Sequence, residues 1–342
     1  MPPSASRSGR QRSLTSIAAT AGVSVSTVSK VLNGRTDVSP ETRDRLTRVL
    51  RSHGYRVAQR STLGVVDLLI GPLDSPWSEE LIRGAITAAA EASLSVIVTR
   101  VASAEDFAHW LAIALRRGTD GALSVLHLPG ATERRRLAGA HIPLVIVDPP
   151  TEPGGDIRSV GTTNWRGGLT ATRHLIELGH RRIGAVGGPA DLWSCRARLD
   201  GYRSALLHAS LPVDETLVCR DRLSASGGLR QTRHLLSLAV PPTAIVAGND
   251  AQAFGVLQAL GEHGLRAPGD VSVIGFDDLP IAAWATPPLT TIRQPLAAMA
   301  ATALRMLHTT EADSAVQVNH VELDTTLVVR ESTGPPRPAT AP

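Results

Sequence analysis

Four polar residues with helical spacing could hydrogen-bond to the edges of DNA bases. Ser26, Ser29, Lys30 and Asn33 follow the i, i+3, i+4, i+7 pattern of a single helix stripe. Their hydroxyl, ammonium and amide groups match the donors and acceptors that bases present in the major groove. A short helix that is polar on one side fits this groove when a partner helix holds its other side. The stripe therefore predicts contact with double-stranded DNA.

The apolar residues around that stripe predict a bundle of three short helices. Ser13, Ser24 and Ser39 are suited to cap the three N-termini, because a serine hydroxyl accepts a hydrogen bond from a backbone amide there. Gly22 makes the turn between the first two helices. The side chains expected in the common core are Leu14, Ile17, Ala18, Ala21, Val28, Val31, Leu32, Leu46, Val49 and Leu50.

Basic charge is concentrated beside these helices. Residues 1–60 carry a net charge of +8, whereas residues 61–342 carry −4. The only lysine of the chain, Lys30, lies on the polar stripe. A basic head on a slightly acidic body is typical of a DNA-binding module attached to a second kind of domain.

Length and composition allow two or three domains with a large core, since the 342 residues are 42% hydrophobic. No apolar run reaches the length of a membrane span, and the basic N-terminus lacks the apolar segment of a secretory signal. Two cysteines, Cys195 and Cys219, do not suggest a disulfide framework. We therefore expect a cytoplasmic protein with no membrane partner.

Two stretches of the head resemble the LacI/GalR family of bacterial transcriptional regulators. They read AGVSVSTVSKVLNG and VSPETRDRLTRVLRSHGYR. The resemblance implies a head that binds a near-palindromic operator as a homodimer, and a body that binds a small effector. At the position of Lys30 the family usually has arginine, so here a single point charge replaces the bidentate fork to guanine.

Position along the second helix divides the expected DNA contacts. Val25 and Ser26 begin that helix, where side chains reach base edges, and Lys30 lies one turn further. Other polar residues are expected to contact phosphates, which position the protein without reading the sequence. Ser24 has helix capping as an alternative role. The candidate DNA-binding residues are Ser13, Ser24, Val25, Ser26, Thr27, Ser29, Lys30, Asn33, Arg35 and Tyr55.

The segment after Tyr55 departs from the family pattern. Family members carry a Pro-Asn pair and a hinge helix whose leucine inserts into the minor groove. Here the segment reads RVAQRSTLGVV, which is about six residues shorter and lacks Pro-Asn. Leu63 is the only possible wedge. The candidate hinge residues are Arg56, Ala58 and Leu63.

From Val66 onward, apolar strands alternate with helical segments in two series. Such alternation predicts parallel sheets covered on both faces, and two series predict two lobes. The expected strands are 66–70, 94–98, 121–126, 143–147, 181–187, 243–247 and 271–276. The expected helices are 78–92, 105–117, 133–140, 165–178, 195–209, 227–238 and 251–263.

The resemblance completes the fold class and the domain divisions. It implies an all-α helix-turn-helix headpiece and an α/β, two-lobed, periplasmic-binding-protein-like effector domain with doubly wound parallel sheets. The expected divisions are a disordered 1–12, a DNA-binding domain 13–56, a linker 57–65, an effector-binding and dimerisation domain 66–331 and a disordered tail 332–342. The first lobe takes 66–160 and 293–318, the second takes 161–292 and 319–331, and crossings fall near 149–161 and 286–295.

Polar residues follow the expected strands at their carboxyl ends, where open α/β sheets bind ligands. Carboxylates, an amide and a guanidinium can bind the hydroxyls of a sugar, and an indole can cover its ring. Trp193 and Trp284 have two alternative places, the core or the ligand cleft. Asn249 has two alternative roles, contact with the ligand or capping of the next helix. The candidate effector-binding residues are Asp74, Trp77, Asp148, Trp193, Arg196, Asn249, Asp277 and Trp284.

The family segments SCRARLDGY, AGNDAQAFGV and SVIGFDDLP sharpen that set. The resemblance implies effector contact at the positions of Arg196, Asn249 and Asp277, and at that of Asp148 in sugar-responsive members. It implies structural roles for Asn164 and His174. Dimer contacts are expected near the helices 78–92 and 105–117.

The combined interpretation is a repressor that is released by a small ligand, with a sugar as the first choice. Two alternatives remain: a corepressor- or partner-regulated member that responds to a nucleobase or a protein, and a cytosolic sugar-binding protein or enzyme with a vestigial head. Enzyme chemistry is disfavoured, because the chain has no GxxxxGK[ST], HExxH, GxSxG or paired CxxC motif. No catalytic residue, metal site or cofactor is expected.

Overall fold

The computed structural model describes residues 14–32, 38–53, 64–154, 157–308 and 318–337. It contains two compact units, Met1–Gly64 and Val65–Pro342, which we call the head and the body.

The head is the predicted three-helix bundle. Its helices are α1 (Leu14–Ala21), α2 (Val25–Leu32) and α3 (Pro40–Ser52). Gly22 has a φ of +63°, a left-handed conformation that glycine adopts without steric cost, so the chain can turn sharply after α1. The buried core is Ile17, Ala18, Ala21, Val28, Val31, Leu46 and Leu50, with Leu14 and Val49 packed against it. Leu32, also predicted for the core, has its side chain outside the described part.

The body has two lobes, each built on a six-stranded sheet. Elements of the first lobe are β1 (Gly64–Ile70), α4 (Pro76–Glu91), β2 (Leu94–Arg100), α5 (Ala104–Arg117), β3 (Gly121–Val125), α6 (Ala131–Gly139), β4 (Leu144–Val147), β5 (Ser159–Thr162), α11 (Leu296–His308) and β11 (His320–Leu323). The sheet of this lobe has the order β11-β5-β4-β3-β1-β2.

Elements of the second lobe are α7 (Asn164–Glu177), β6 (Ile183–Gly187), α8 (Trp193–His208), a 3-10 helix (Glu215–Leu217), β7 (Val218–Arg220), α9 (Ala225–Leu236), β8 (Ala244–Ala247), α10 (Asp250–Glu262), β9 (Ser272–Asp277), a 3-10 helix (Pro280–Ala283), β10 (Thr290–Arg293) and β12 (Thr326–Val328). The sheet of this lobe has the order β12-β10-β9-β8-β6-β7, in which β12 runs antiparallel to β10.

Each sheet is covered by helices on both faces, which explains why its strands read as continuous apolar runs. In β1, Leu68 packs in the cluster that includes α4 and α11, while its neighbour Leu69 packs with α5 and α6. In β9, Val273 faces α9 and α10, while Ile274 faces α7 and α8. The predicted doubly wound fold class is therefore confirmed.

The chain crosses between the lobes at three places: after Thr162, after Arg293 and after Leu323. The first two crossings lie at the ends of the predicted segments 149–161 and 286–295. The segment 157–162 itself stays in the first lobe, because β5 pairs with β4 there.

The expectation that 319–331 lies wholly in the second lobe is wrong. His320–Leu323 pairs in parallel with Ser159–Thr162 at the edge of the first sheet. A hydrogen bond of 2.9 Å between His320 Nδ1 and Ser159 Oγ fixes that register. The chain then returns to the second sheet as β12.

The expectation of a disordered tail from residue 332 is also wrong for residues 332–337. Ser332 is fully buried, and its hydroxyl donates to Val273 O at 2.6 Å. Nε2 of the buried His180 lies 2.9 Å from Gly334 O. These bonds attach the segment to the second lobe, and residues 338–342 lie outside the described part.

Both cysteines are free thiols, with Cys195 buried and Cys219 half-buried. Within the described ranges, none of the helices combines the length and the apolar character needed to span a bilayer.

Candidate functional site

Helix α2 of the head places the three described residues of its predicted polar stripe, Ser26, Ser29 and Lys30, on its outer side. Val25 is 43% exposed, Ser24 and Ser26 are exposed, and Ser29 and Lys30 are half-buried. Because the apolar side of α2 faces the head core, this stripe is the side of the helix available to a groove.

Ser24 acts as the N-terminal cap of α2. Its Oγ accepts a hydrogen bond from Thr27 N at 3.1 Å and lies 2.8 Å from the hydroxyls of Ser26 and Thr27. The three hydroxyls form one cluster at the start of the helix, where backbone N–H groups also favour a phosphate. Capping and phosphate contact are therefore compatible for Ser24. The candidates Ser13, Asn33, Arg35, Tyr55, Arg56, Ala58 and Leu63 lie outside the described residues.

The body contains a cavity of about 120 Å³ at the carboxyl ends of its strands. Loops after β1, β3, β4, β8 and β10 reach it, as do the N-terminal parts of α4 and α8. This is the place where open α/β sheets bind ligands. Its lining is Ile70, Gly71, Pro72, Ser75, Trp77, Ser78, Leu126, Asp148, Leu192, Ser194, Arg198, Leu223, Asn249, Asp277 and Gln294.

Four of the eight predicted effector residues line this cavity, namely Trp77, Asp148, Asn249 and Asp277. Trp77, near the start of α4, is half-buried and also packs against the core of the first lobe. Asn249 also caps α10, since its Oδ1 accepts a hydrogen bond from Gln252 N at 2.9 Å. The capping of α10 is therefore compatible with a place in the cavity lining.

The other four predicted residues are not brought to the cavity. Asp74 is exposed on the loop before α4, and Trp284 is 81% exposed beside a 3-10 helix. Trp193 is half-buried at the start of α8, where its backbone N–H donates to Pro150 O at 2.9 Å. The guanidinium of Arg196, which is exposed, lies 5.6 Å from the Trp193 ring.

Arg198, not Arg196, forms the cationic wall of the cavity. Its Nε donates to Asn164 Oδ1 at 2.8 Å, and its Nη1 donates to Gly248 O at 2.6 Å. The guanidinium stacks 3.7 Å from the Phe276 ring and lies 4.0 Å from the Asp277 carboxylate. Helical periodicity offers the signal for this assignment, because Ser194 and Arg198 are four residues apart on one face of α8 and Arg196 is not.

Two expectations of structural roles agree with these contacts. Asn164 is buried, accepts from Arg198 and donates from Nδ2 to Thr162 O at 3.1 Å. His174 Nε2 lies 2.9 Å from Thr333 Oγ1, far along the chain in the second lobe.

Gln294 is a cavity residue that sequence reasoning missed. Its Nε2 donates to Asp277 Oδ1 at 2.6 Å, and its Oε1 accepts from Thr162 Oγ1 at 2.9 Å. The amide therefore joins a carboxylate of the second lobe to the last residue of β5. A single glutamine in a crossing segment carries no local signal for this role.

Burial shapes the electrostatics of the carboxylates. Burial raises the pKa of Asp277 to about 7, although Arg198 and the hydrogen bond from Gln294 act in the opposite direction. Burial also raises the pKa of Asp148, again opposed by Arg198. Asp250, the first residue of α10, has its pKa raised by burial and by the nearby Asp277 charge. The site thus combines buried carboxyl groups with one buried cation.

The raised pKa of Asp277 predicts a pH-dependent stability. Between about pH 4 and pH 7 the folded state holds a proton on this carboxyl that the unfolded state has released, so its contribution to stability falls as pH rises through that window. The free energy of unfolding of the wild type, relative to Asp277→Asn, should therefore fall from about pH 5 to about pH 8. Urea denaturation at both pH values measures the difference, in which groups remote from Asp277 cancel. A constant difference would contradict the shift.

Comparisons with known proteins place this geometry in a family. Residues 13–57 match the model described as "Bacterial regulatory proteins, lacI family", and residues 172–333 match "Periplasmic binding protein-like domain". The HTH-type transcriptional regulator CelR of Thermobifida fusca is 32% identical over 336 residues, which cover 94% of this chain and 98% of CelR. The ribose operon repressor of Escherichia coli is 32% identical over 330 residues, covering 92% and 98%.

Solved structures of transcriptional regulators are similar to this chain over nearly its whole length. A complex of the transcriptional regulator CelR with cellobiose has a TM-score of 0.72 at 32% identity, and the match covers 94% of this chain and 99% of that one. The lac repressor dimer bound to operator and the anti-inducer ONPF has a TM-score of 0.71 at 26% identity, covering 95% and 100%.

A helix-turn-helix head and a two-lobed body whose cavity is bordered by several charged and polar side chains define a DNA-binding transcription regulator with a ligand-binding domain. The chain belongs to the lacI family of bacterial regulatory proteins.

Proposed function

We propose that this regulator is a repressor that leaves its operator when a sugar binds in the body cavity. The observation that carries the proposal is the lining of that cavity, where Asp148, Arg198, Asn249 and Asp277 surround a space that the Trp77 indole also borders. Carboxylate and amide oxygens accept from sugar hydroxyls, a guanidinium donates to them, and an indole covers the C–H face of a ring. The CelR–cellobiose complex and the ribose operon repressor support a sugar.

Ligand control requires the sugar to bind one arrangement of the body better than the other. A ligand with equal affinity for the DNA-competent and the released states would change nothing. The lining of the cavity comes from both lobes and includes Gln294 at a crossing, so a change in the arrangement of the lobes would change the contacts available to the sugar. Sugar contacts made on both sides would favour one lobe arrangement.

The test begins by selecting an operator from a library of random duplexes with the full-length protein. Cellobiose, D-ribose, hypoxanthine and guanine are then titrated against the selected complex, and DNA release is followed by fluorescence anisotropy. Release by a sugar is the expected result. Release by a nucleobase alone, or tighter DNA binding with one, would contradict the sugar assignment and favour the corepressor alternative. If no sequence is enriched, the proposed DNA function itself fails.

We further propose that two copies bind the two halves of a near-palindromic operator. The lac repressor structure, described as a dimer bound to operator, supports this. On the body, α4 and α5 expose the apolar side chains of Ile86, Ile113 and Leu115, which suit a contact between copies. Sedimentation equilibrium should give a dimer, and a monomer at all concentrations that bind operator would contradict the assignment.

Lys30→Ala should weaken binding to the selected operator by roughly 1–3 kcal/mol, because the change removes the only lysine charge on the exposed face of α2. The measurement is anisotropy with the operator and with a random duplex at the same salt concentration. Lys30→Arg should keep most of the affinity, and Thr15→Ala, on the exposed side of α1, should change little. An unchanged ratio of specific to random affinity in Lys30→Ala would remove Lys30 from base recognition.

A further inference from the structure

Asp278, the residue after the cavity carboxylate Asp277, is held between two arginines. Its Oδ2 accepts from Arg293 Nε at 2.7 Å, and its Oδ1 accepts from Arg330 Nη2 at 2.6 Å. The Asp278 side chain is only 6% exposed. Arg330 is fixed further, since its Nη1 donates to Leu289 O at 2.7 Å. Both carboxylate oxygens are thus engaged in charge-assisted bonds, which are stronger than neutral ones.

One of the two arginines stands where the chain passes between the lobes. Arg293 ends β10 and pairs in register with Asp277 of β9, and the next residue, Gln294, begins the crossing to α11. Arg330 follows β12 and lies beside the start of β10, where its backbone N–H donates to Thr290 Oγ1 at 2.9 Å. Asp278 therefore joins the second-lobe end of one crossing to the segment that follows β12.

The backbone at this point needs such support. Asp277 has a φ of +123° and Asp278 a φ of +57°, so two consecutive residues with side chains lie in the region that favours glycine. Conformations of this kind persist only where surrounding contacts impose them. The reversal turns the Asp277 carboxyl into the cavity, where it is 3% exposed and accepts from Gln294.

We propose that Asp278, Arg293 and Arg330 form an ionic clamp that positions Asp277 in the ligand cavity and ties it to the interlobe crossing after Arg293 and to the segment after β12. Asp278 is then a positioning residue, because it acts on the ligand through Asp277. The part of this inference that concerns ligand affinity rests on the proposed function, whereas the part that concerns the attachment of these two segments does not.

The first test is amide hydrogen exchange of full-length Asp278→Asn. Asparagine keeps the shape of aspartate and tolerates a left-handed φ, so the change removes the charge without adding backbone strain. We expect exchange about tenfold faster than in the wild type at 277–279, 290–294 and 326–330, with the centres of α7 and α10 unchanged. Unchanged exchange in those segments, or an equal increase over the whole second lobe, would overturn the clamp.

A matched control removes a charge elsewhere in the same lobe. Glu262→Gln breaks the pair between Glu262 and Arg233, which lie 2.7 Å apart on α10 and α9. This variant should leave exchange at 277–279 and 290–294 as in the wild type. A loosening of those segments as large as that in Asp278→Asn would show a general effect of lost charge and overturn the specific role.

The second test measures sugar affinity by calorimetry with cellobiose and D-ribose. Whichever sugar the wild type binds should bind Asp278→Asn about tenfold more weakly. Arg293→Lys keeps the charge and should therefore retain more sugar affinity than Arg293→Gln. If the ion pair were purely structural, the two variants would bind the sugar equally well whenever their melting temperatures are equal. If the wild type binds neither sugar, the sugar proposal loses support, while the exchange experiment still decides the clamp.

Discussion

Arg198→Gln is expected to destabilise the body by about 3 kcal/mol and to weaken sugar binding by about a hundredfold. Arg198 is the buried partner of Asn164 Oδ1 and Gly248 O, and its charge lies 4.0 Å from Asp277. Burial raises the pKa values of Asp148 and Asp277, and the Arg198 charge opposes that rise. The variant removes this opposing charge and leaves both carboxyl groups buried without it. Urea denaturation and calorimetry with the bound sugar measure the two effects.

Arg196→Gln is the matched control, because Arg196 lies on the same helix, two residues earlier, but is exposed. Its neighbour is the Trp193 ring, and an exposed contact between a cation and a ring contributes only about 0.5–1 kcal/mol. Sugar affinity should stay within about twofold of the wild type. If Arg196→Gln lost sugar binding and Arg198→Gln kept it, the assignment of the cationic wall would be reversed.

Gly255→Ala is expected to destabilise the second lobe by about 3 kcal/mol or more. A Cβ at Gly255 of α10 would lie 2.0 Å from Ala225 O and 2.6 Å from Leu229 N of α9. Backbone atoms cannot rotate away as a side chain can, so the helices must separate. The close approach is reciprocal, since a Cβ at Gly228 of α9 would lie 2.1 Å from Gln252 O of α10.

The same change at Gly261, also in α10, provides the control. A Cβ there meets no atom within 4 Å, so Gly261→Ala should stabilise the lobe by up to about 1 kcal/mol through the higher helix propensity of alanine. Because Asn249 at the start of α10 and Leu223 just before α9 line the cavity, Gly255→Ala should also weaken sugar binding. Equal melting temperatures for the two variants would contradict the close packing of α9 on α10.

Local sequence patterns were sufficient to predict the helices of the head. Its three helices and their core follow from apolar residues at helical spacing and from serine caps, which are properties of neighbours in the chain. The main strands of the body were predictable for a similar reason, because a strand covered on both faces reads as an apolar run. Asp148, Asn249 and Asp277 were found because they follow such strands directly.

Two short strands of the first lobe escaped prediction because pairing with a distant segment defines them. Ser159–Thr162 and His320–Leu323 are four residues each and contain polar residues, yet they pair with each other across 161 positions of chain. Ser332 has no apolar pattern around it, and it is buried because Val273 and Thr290 bond to it. The sequence around these residues therefore does not predict which segments they pair with.

The helices of the head, the polar stripe of α2 and the location of the cavity at strand ends follow from local sequence patterns, because periodicity within a helix or strand sets which side is buried. The kind of protein was indicated by the resemblance of two stretches of the head to one family. The choice of Arg198 over Arg196, the place of Gln294 between two lobes and the clamp on Asp278 depend on contacts between segments 15 to 132 residues apart. Such contacts form only when packing brings those segments together, so the folded body assigns them.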